Sequence, residues 1–195
     1  MKNINKNYII GGIVVLLVLF GIMSYNGLTS KEEIVTEKWA QVQNVYQSRA
    51  DKIGQLVKVV KGAANFEKST LEAVINARAR ATSVNINPEK LDEASLQKFQ
   101  SAQDGLSSAL GRLMVISEQY PTLQSNQNFT ELMAEVSGME NRILTERNRF
   151  NEVVKEYNLA TKTFPSILFA KLFGFEKKGY FEAAKGTEKA PEINF

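Results

Sequence analysis

The chain has 195 residues, of which 44% are hydrophobic and 23% charged, a composition typical of a globular protein with one well-filled core. Its 24 basic and 21 acidic residues are interspersed and leave a formal charge of only +3, so no nucleic-acid-binding surface is predicted. Cysteine and histidine are absent. Their absence excludes disulfides, thiol chemistry and the commonest general base, and no cofactor is predicted.

The first predicted element is an apolar segment without charge. Residues 8–23 read YIIGGIVVLLVLFGIM, and Tyr8 and Tyr25 stand near its two ends, where tyrosine favours the membrane interface. The segment reaches the ~20 residues that cross a bilayer. A cleaved signal peptide is the alternative, but the apolar run is long for one and no small-residue cleavage site follows. A short N-terminal segment at 1–6 and a transmembrane helix at 7–26 are therefore predicted.

Flanking charges give the orientation of this span. Lys2, Lys6 and the α-amino group precede it, whereas the lysines that follow, Lys31 and Lys38, stand among glutamates. Positive residues favour the cytoplasmic side, and the lysine count favours an inside N-terminus by a narrow margin. We therefore expect a single-pass membrane protein whose remaining chain is extracytoplasmic.

Beyond Gly27 the pattern is helical almost throughout. Apolar residues recur at spacings of three or four from residue 35 to residue 64, and Ser30-Lys31-Glu32-Glu33 has the form of a capping box at the start of a helix. A second box, Ser69-Thr70-Leu71-Glu72, opens a shorter segment at 69–84. Because no clear breaker separates the two, the second segment is either a separate helix or a continuation of the first.

Two further helices follow. Asn87-Pro88 marks a boundary, an apolar stripe then runs to Pro121, and a polar turn leads into a long stripe that ends at Pro165. Long amphipathic helices with mostly short connections predict an antiparallel helical bundle at 29–165. Heptad-like spacing would also suit an extended coiled coil, but polar positions inside the stripes favour the bundle. The predicted fold class is all-α.

Residues 166–195 form an apolar segment and an irregular tail. We expect Tyr180, Phe181 and Phe195 to dock this tail if it docks at all. The apolar part either folds onto the end of the bundle or contacts the bilayer or a neighbouring subunit. Its candidate interface residues are Ile167, Leu168, Phe169, Leu172, Phe173 and Phe175.

Carboxylates are the only acid–base candidates. Asp51, Glu67, Glu118 and Glu140 lie beside the apolar stripes, where a pair flanking a cleft would be able to transfer protons. Their simpler role is to pair with arginines in polar layers that fix helix register. No catalytic activity is predicted, because the sequence has no phosphate loop and no nucleophile beside a base. The predicted structural polar layer comprises Arg49, Asp51, Glu140 and Arg142.

A set of short motifs occurs in order along almost the whole chain. Its most specific elements are Glu140-Asn141-Arg142-Ile143 and Tyr157-Asn158. The other positions of the set are Tyr25-Asn26, Trp39, Val42-Gln43, Arg49-Ala50-Asp51, Leu56-Val57, Val60-Lys61-Gly62, Glu67, Ala77-Arg78-Ala79, Glu118, Tyr120-Pro121, Leu123, Phe129 and Phe150-Asn151. In these motifs the chain resembles the LemA family of bacterial membrane proteins.

This resemblance implies a short N-terminal segment, one anchor and a helical bundle, and it implies no established enzymatic activity. Two positions depart from the family's pattern. Gly54 stands where the family often has proline, so a helix kink there is less expected. Phe66 stands where histidine often precedes the glutamate, so no His–Glu chemistry applies to this chain.

These observations predict a membrane-anchored helical scaffold or adaptor that acts in envelope organisation or protein quality control. We expect a homo-oligomer, with the lipid bilayer and an unidentified membrane or envelope protein as partners. The alternative is a bundle that binds a small hydrophobic ligand or lipid at the membrane.

Alkaline carbonate extraction tests the anchor. We expect the full chain to stay in the membrane fraction, because a helix buried in hydrocarbon does not depend on the electrostatic contacts that carbonate removes. Deletion of residues 1–26 should release a soluble domain with a strongly helical circular dichroism spectrum. Complete release of the full chain would show that the anchor is not integral. Aggregation of the truncated chain without helical signal would show that the bundle needs the membrane.

Overall fold

The computed structural model describes residues 6–63 and 66–182, and all regular secondary structure in these two ranges is helical. The predicted all-α class is confirmed. A 3₁₀ turn at Pro88–Lys90 lies between the second and third helices. The α-helices are α1 (Lys6–Lys61), α2 (Lys68–Ser83), α3 (Glu93–Ser117), α4 (Pro121–Gln124), α5 (Gln127–Lys162) and α6 (Ser166–Phe173).

The first helix runs without a break from the apolar segment into the bundle. It has 56 residues, ~84 Å at 1.5 Å per residue, and it is the one helix in the described ranges that is long and apolar enough to span a membrane. The predicted helix start at Ser30 is wrong. No proline interrupts the chain before Ser30, so the backbone there continues an existing helix and needs no side-chain cap.

The second helix is separate from α1, which answers the question that the sequence left open. The chain turns at Gly62, and α2 begins at Lys68 rather than at the predicted serine box. It runs back along α1, where Arg78 Nε donates a hydrogen bond to the carbonyl oxygen of Ala50 at 2.6 Å. Gly54 stays within the regular α1 helix, and its Cα lies close beneath the Arg78 guanidinium.

Side-chain caps set the starts of the later elements. Asn87 accepts a hydrogen bond from the Glu89 amide at the 3₁₀ turn, and Asp92 accepts one from the Ser95 amide at the start of α3. The hydrogen bonds from Ser95 hold the pKa of Asp92 below its ordinary value. Asn126 caps α5 in the same way. The polar turn before α5 is therefore a helix start, as predicted, whereas Asn87-Pro88 opens the 3₁₀ turn and α3 begins only at Glu93.

The part of α1 beyond the apolar segment packs with α2, α3 and α5 as a four-helix bundle, each helix antiparallel to the one before it. Two apolar clusters fill the bundle. The distal core, farther from the apolar segment, contains Ile53, Leu56, Val60, Val74, Leu106, Leu113, Leu123, Phe129 and Val136. The proximal core, nearer to the apolar segment, contains Val35, Trp39, Tyr46, Leu96, Phe99, Ile143, Phe150, Tyr157 and Phe181.

Ion pairs between α1 and α5 define the register of the last long helix. Lys52 Nζ lies 2.6 Å from Glu135 Oε2, and Lys31 Nζ lies 3.2 Å from Glu156 Oε2. The partner number on α5 falls as the number on α1 rises, so α5 descends along α1 towards the apolar segment. The end of α5 therefore lies at the base of the bundle, where α1 leaves it.

Candidate interaction surfaces and the buried polar layer

One buried arginine joins all four helices of the bundle between its two cores. Arg49 of α1 is only 1% exposed, and its Nη1 donates to Glu140 Oε1 of α5 at 2.7 Å and to Ser107 Oγ of α3 at 3.1 Å. Its Nη2 donates to Gln103 Oε1 at 2.7 Å. Gln103 Nε2 in turn donates to the Ala81 carbonyl of α2 at 3.2 Å. A buried charge with this many partners fixes one register of the helices.

An aromatic ring completes the surroundings of this charge. The Arg49 guanidinium lies 5.2 Å from the centroid of the Tyr46 ring, one turn earlier on α1. Burial raises the pKa of the Tyr46 phenol above its ordinary value, although the charges of Arg147 and Arg49 act in the opposite direction. The phenol is therefore neutral throughout the physiological range.

Of the four residues predicted for the polar layer, the structure brings Arg49 and Glu140 together. Asp51 is exposed, accepts a hydrogen bond from Gln47 and lies 3.9 Å from the Arg78 guanidinium. Arg142 is exposed on α5. Each stands two residues after a layer member, Arg49 or Glu140, and positions i and i+2 lie on different faces of a helix.

Sequence reasoning did not assign Gln103 to the layer, although a signal was present. Gln103 occupies a position in the otherwise apolar stripe of α3 and is 6% exposed. A polar side chain at a core position needs a buried partner. A buried Gln103 therefore predicts a charged or polar partner on a facing helix.

The acidic candidates do not assemble a metal centre within residues 6–63 and 66–182, where no three acidic side chains are placed to share an ion. A shallow groove of about 660 Å³ lies between α2 and α3. Its lining includes Thr70, Ala73, Ala109, Val115 and Ile116. This groove has the mainly apolar lining that a hydrophobic ligand requires.

The last helix packs on the end of the apolar segment of α1. The Phe169 ring lies over Gly21, where a Cβ atom would stand 3.0 Å from the ring, and its centroid is 5.5 Å from that of Phe20. Farther along, Phe173 stands edge-on to Tyr25 at 5.2 Å, and Phe175 does so at 5.8 Å. These contacts place α6 beside the last two turns of the predicted span.

The opposite face of α6 is apolar and exposed. Leu172 is 74% exposed and Leu168 is 60% exposed, and Phe164, just before the helix, is 81% exposed. Ile167 is half-buried, and Ala170 is buried. We call Phe164, Leu168 and Leu172 the basal apolar surface. Exposed apolar groups that lie near one another mark a contact with a membrane or another protein.

The chain after α6 turns back along the bundle. Gly174 adopts a left-handed conformation with φ of 78°, which allows the reversal. Phe181 is buried in the proximal core and Tyr180 is half-buried against it, as the docking prediction expects. Phe195, the third residue in that prediction, lies outside the described residues.

A span-length apolar helix that continues into a four-helix bundle defines a membrane-associated all-helical protein. A family model described as LemA family matches residues 38–195, and the chain belongs to this family. The predicted resemblance is thereby confirmed.

Magnetosome proteins are among its relatives. The chain is similar to magnetosome protein MamQ of Magnetospirillum gryphiswaldense, with 29% identity over 177 residues covering 82% of this chain. It is also similar to magnetosome proteins MamQ 1 and MamQ 2 of Paramagnetospirillum magneticum, each with 28% identity over 178 residues covering 83% of this chain. The match spans 65% of the length of each of these relatives.

The stability of two alanine variants separates the buried charge from the surface pair. Glu140→Ala removes a half-exposed carboxylate from the buried Arg49 guanidinium, which keeps Ser107 and Gln103 as acceptors, and we expect a loss of about 2 kcal/mol in the free energy of unfolding. Asp51→Ala removes an exposed partner and should cost about 0–1 kcal/mol. Chemical denaturation of the chain without residues 1–26 measures both values. Equal, small losses would mean that the Arg49 charge does not depend on Glu140.

Proposed function

We propose that this chain is a membrane-anchored helical scaffold or adaptor that self-associates at the bilayer, in envelope organisation or protein quality control. The basal apolar surface supports the proposal, because α6, which carries Leu168 and Leu172, packs on the end of the apolar segment of α1 through Phe169 and Phe173. A rigid bundle held at a fixed height above a bilayer is suited to presenting binding surfaces to other proteins. The relatives are named for a cellular structure, the magnetosome, rather than for a reaction, which supports a scaffold.

The proposed arrangement in the membrane follows from exposure along α1. The side chains of residues 6–20 are exposed throughout, whereas Gly21, Ser24 and Leu28 are the first buried residues of the helix. We therefore propose that lipid surrounds residues 7–26 and that the bundle begins at 29. The segment 1–6 precedes the span, and the apolar segment and tail of 166–195 return to its outer end.

Self-association through the basal apolar surface follows from the same arrangement. If lipid covers Leu168 only in part, pairing with a second copy removes the remaining apolar area from water, which is favourable. Copies confined to one membrane meet with their bases at the same height, and symmetric homo-oligomers are the commonest assemblies. The lysines before the span favour an inside N-terminus, so we propose that the bundle meets its envelope partner on the extracytoplasmic side.

A second candidate function is the binding of a small hydrophobic ligand or lipid. The groove of about 660 Å³ between α2 and α3 favours it, because its lining is mostly apolar. Val115→Glu in this groove should abolish binding of a fluorescent fatty acid if the groove is a ligand site. Unchanged binding, or none with the unaltered chain, would remove this alternative.

Disulfide crosslinking tests the scaffold, since the chain has no cysteine. We expect Leu172→Cys to give crosslinked dimers in intact membranes on mild oxidation, because Leu172 lies on the basal apolar surface. Leu144→Cys is the matched control, an exposed leucine on α5 within the bundle. Equal dimer yields from both variants would indicate random collision. Monomer alone from Leu172→Cys, with a monomeric mass in mild detergent, would contradict self-association and leave a lone adaptor.

A further inference from the structure

The segment after α6 is bound to the bundle as an extended peptide is bound to a receptor. Asn158 Nδ2 donates to the carbonyl oxygen of Lys178 at 2.8 Å, and Asn158 Oδ1 accepts from the Lys178 amide at 2.9 Å. Asn151 makes the same pair of bonds to Phe181, at 2.9 and 2.8 Å. Each side-chain amide thus satisfies both main-chain groups of one residue, as a neighbouring β-strand would.

The spacing of the two asparagines selects an extended chain. Asn151 and Asn158 are seven residues apart on α5, which is ~10.5 Å along the helix. Residues 178 and 181 are three apart, which is ~10 Å when the chain is fully extended. The higher number on the segment pairs with the lower number on α5, so the segment runs antiparallel to this helix. We call residues 178–182 the terminal segment.

Two adjacent sites on the bundle bind the first two residues of the terminal segment and restrict which side chains fit there. Lys178 is buried, and its Nζ lies 2.7 Å from Glu32 Oε1 and 3.0 Å from the carbonyl oxygen of Glu89. Gly179 donates its amide to the Leu91 carbonyl at 2.7 Å. A Cβ atom at position 179 would stand 2.8 Å from the backbone at the start of α3. The first site therefore takes a cation and the second takes only glycine.

An aromatic pocket binds Phe181, two positions after Gly179. The Phe181 ring stacks on Trp39 at 6.1 Å and stands edge-on to Phe150 at 5.5 Å. The Arg147 guanidinium lies 4.7 Å from the centroid of the same ring. Arg147 also donates to the carbonyl oxygen of Glu182 at 2.8 Å. Together the three sites recognise the sequence Lys-Gly-x-Phe in extended form.

We propose that this groove is a peptide-recognition site and that, between copies at the bilayer, it takes the terminal segment of the neighbouring copy. All of the recognised groups lie on residues 178–182, so the groove has no means of distinguishing its own segment from a neighbour's. Exchange of an identical element costs little free energy, because the same contacts form in both states.

The base of the bundle provides the geometry for this exchange, which rests on the proposed self-association. Leu172 is exposed only a few residues before the terminal segment, and Glu176 and Lys177 in between are exposed as well. The chain from Gly174 to Lys178 spans up to ~14 Å when extended. This length is available to carry each terminal segment to the groove of a second copy that contacts the first through α6.

Crosslinking between two full-length copies with different tags tests the exchange. The acceptor carries Gln100→Cys, since Gln100 Nε2 donates to the Glu182 carbonyl at 3.0 Å, together with Phe181→Ala to weaken its own segment. The donor carries Glu182→Cys. Both are co-expressed, and intact membranes are treated with a short bis-maleimide. A mixed-tag product is expected, and adding Asn151→Ala and Asn158→Ala to the acceptor should lower it about tenfold or more.

Three controls make each outcome decisive. Asn148→Ala in the acceptor changes an exposed asparagine of the same helix and should leave the yield unchanged. An acceptor that carries Gln100→Cys but keeps Phe181 shows whether the result depends on misfolding caused by Phe181→Ala. A single chain that carries both Gln100→Cys and Glu182→Cys reports docking of the terminal segment within one copy. Absence of the mixed-tag product would overturn exchange even where Leu172→Cys still dimerises. A yield that stays the same when Asn151→Ala and Asn158→Ala are added to the acceptor would overturn it as well. Loss of the Leu172→Cys dimer as well would overturn both exchange and self-association.

Discussion

The guanidinium of Arg49 lies between two apolar cores and meets groups from the three other helices of the bundle, directly from α3 and α5 and through Gln103 from α2. Apolar stripes alone allow neighbouring helices to slide by a turn, because one leucine replaces another at little cost. A buried charge has no such freedom, since a shifted register would leave it without acceptors. The ion pairs of Lys52 and Lys31 with α5 continue this same register on either side of Arg49.

The register of α5 has a consequence at the base of the bundle because α1 is continuous. The same helix carries the apolar segment and Arg49, so a position along the bundle is also a distance from the apolar segment. With α5 in this register its end comes level with the end of the apolar segment, and α6 packs on Gly21 and Tyr25. The base of the bundle is therefore built around the end of that segment.

Much of this architecture follows from local patterns in the sequence. Spacings of three and four predict the helices, Trp39 is buried at its stripe position, and the caps at Asn87 and Asn126 lie where proline and polar turns indicate them. The sequence around Ser30 did not reveal that α1 is continuous. A capping box caps a helix only where the preceding chain is not helical, and here the preceding chain is helical. The bound terminal segment has no periodicity, and its partners on α5 are distant in sequence.

Depth-dependent fluorescence quenching tests the central proposal, that the base of the bundle, with α6, stands at the membrane surface. Trp39 is the chain's one tryptophan and is fully buried in the bundle, so it supplies an unquenched background. The added emission of a Leu172→Trp variant in vesicles should be blue-shifted and strongly quenched by lipids brominated near the headgroup end of the acyl chain. Emission typical of water, with no quenching by any brominated lipid, would contradict the account.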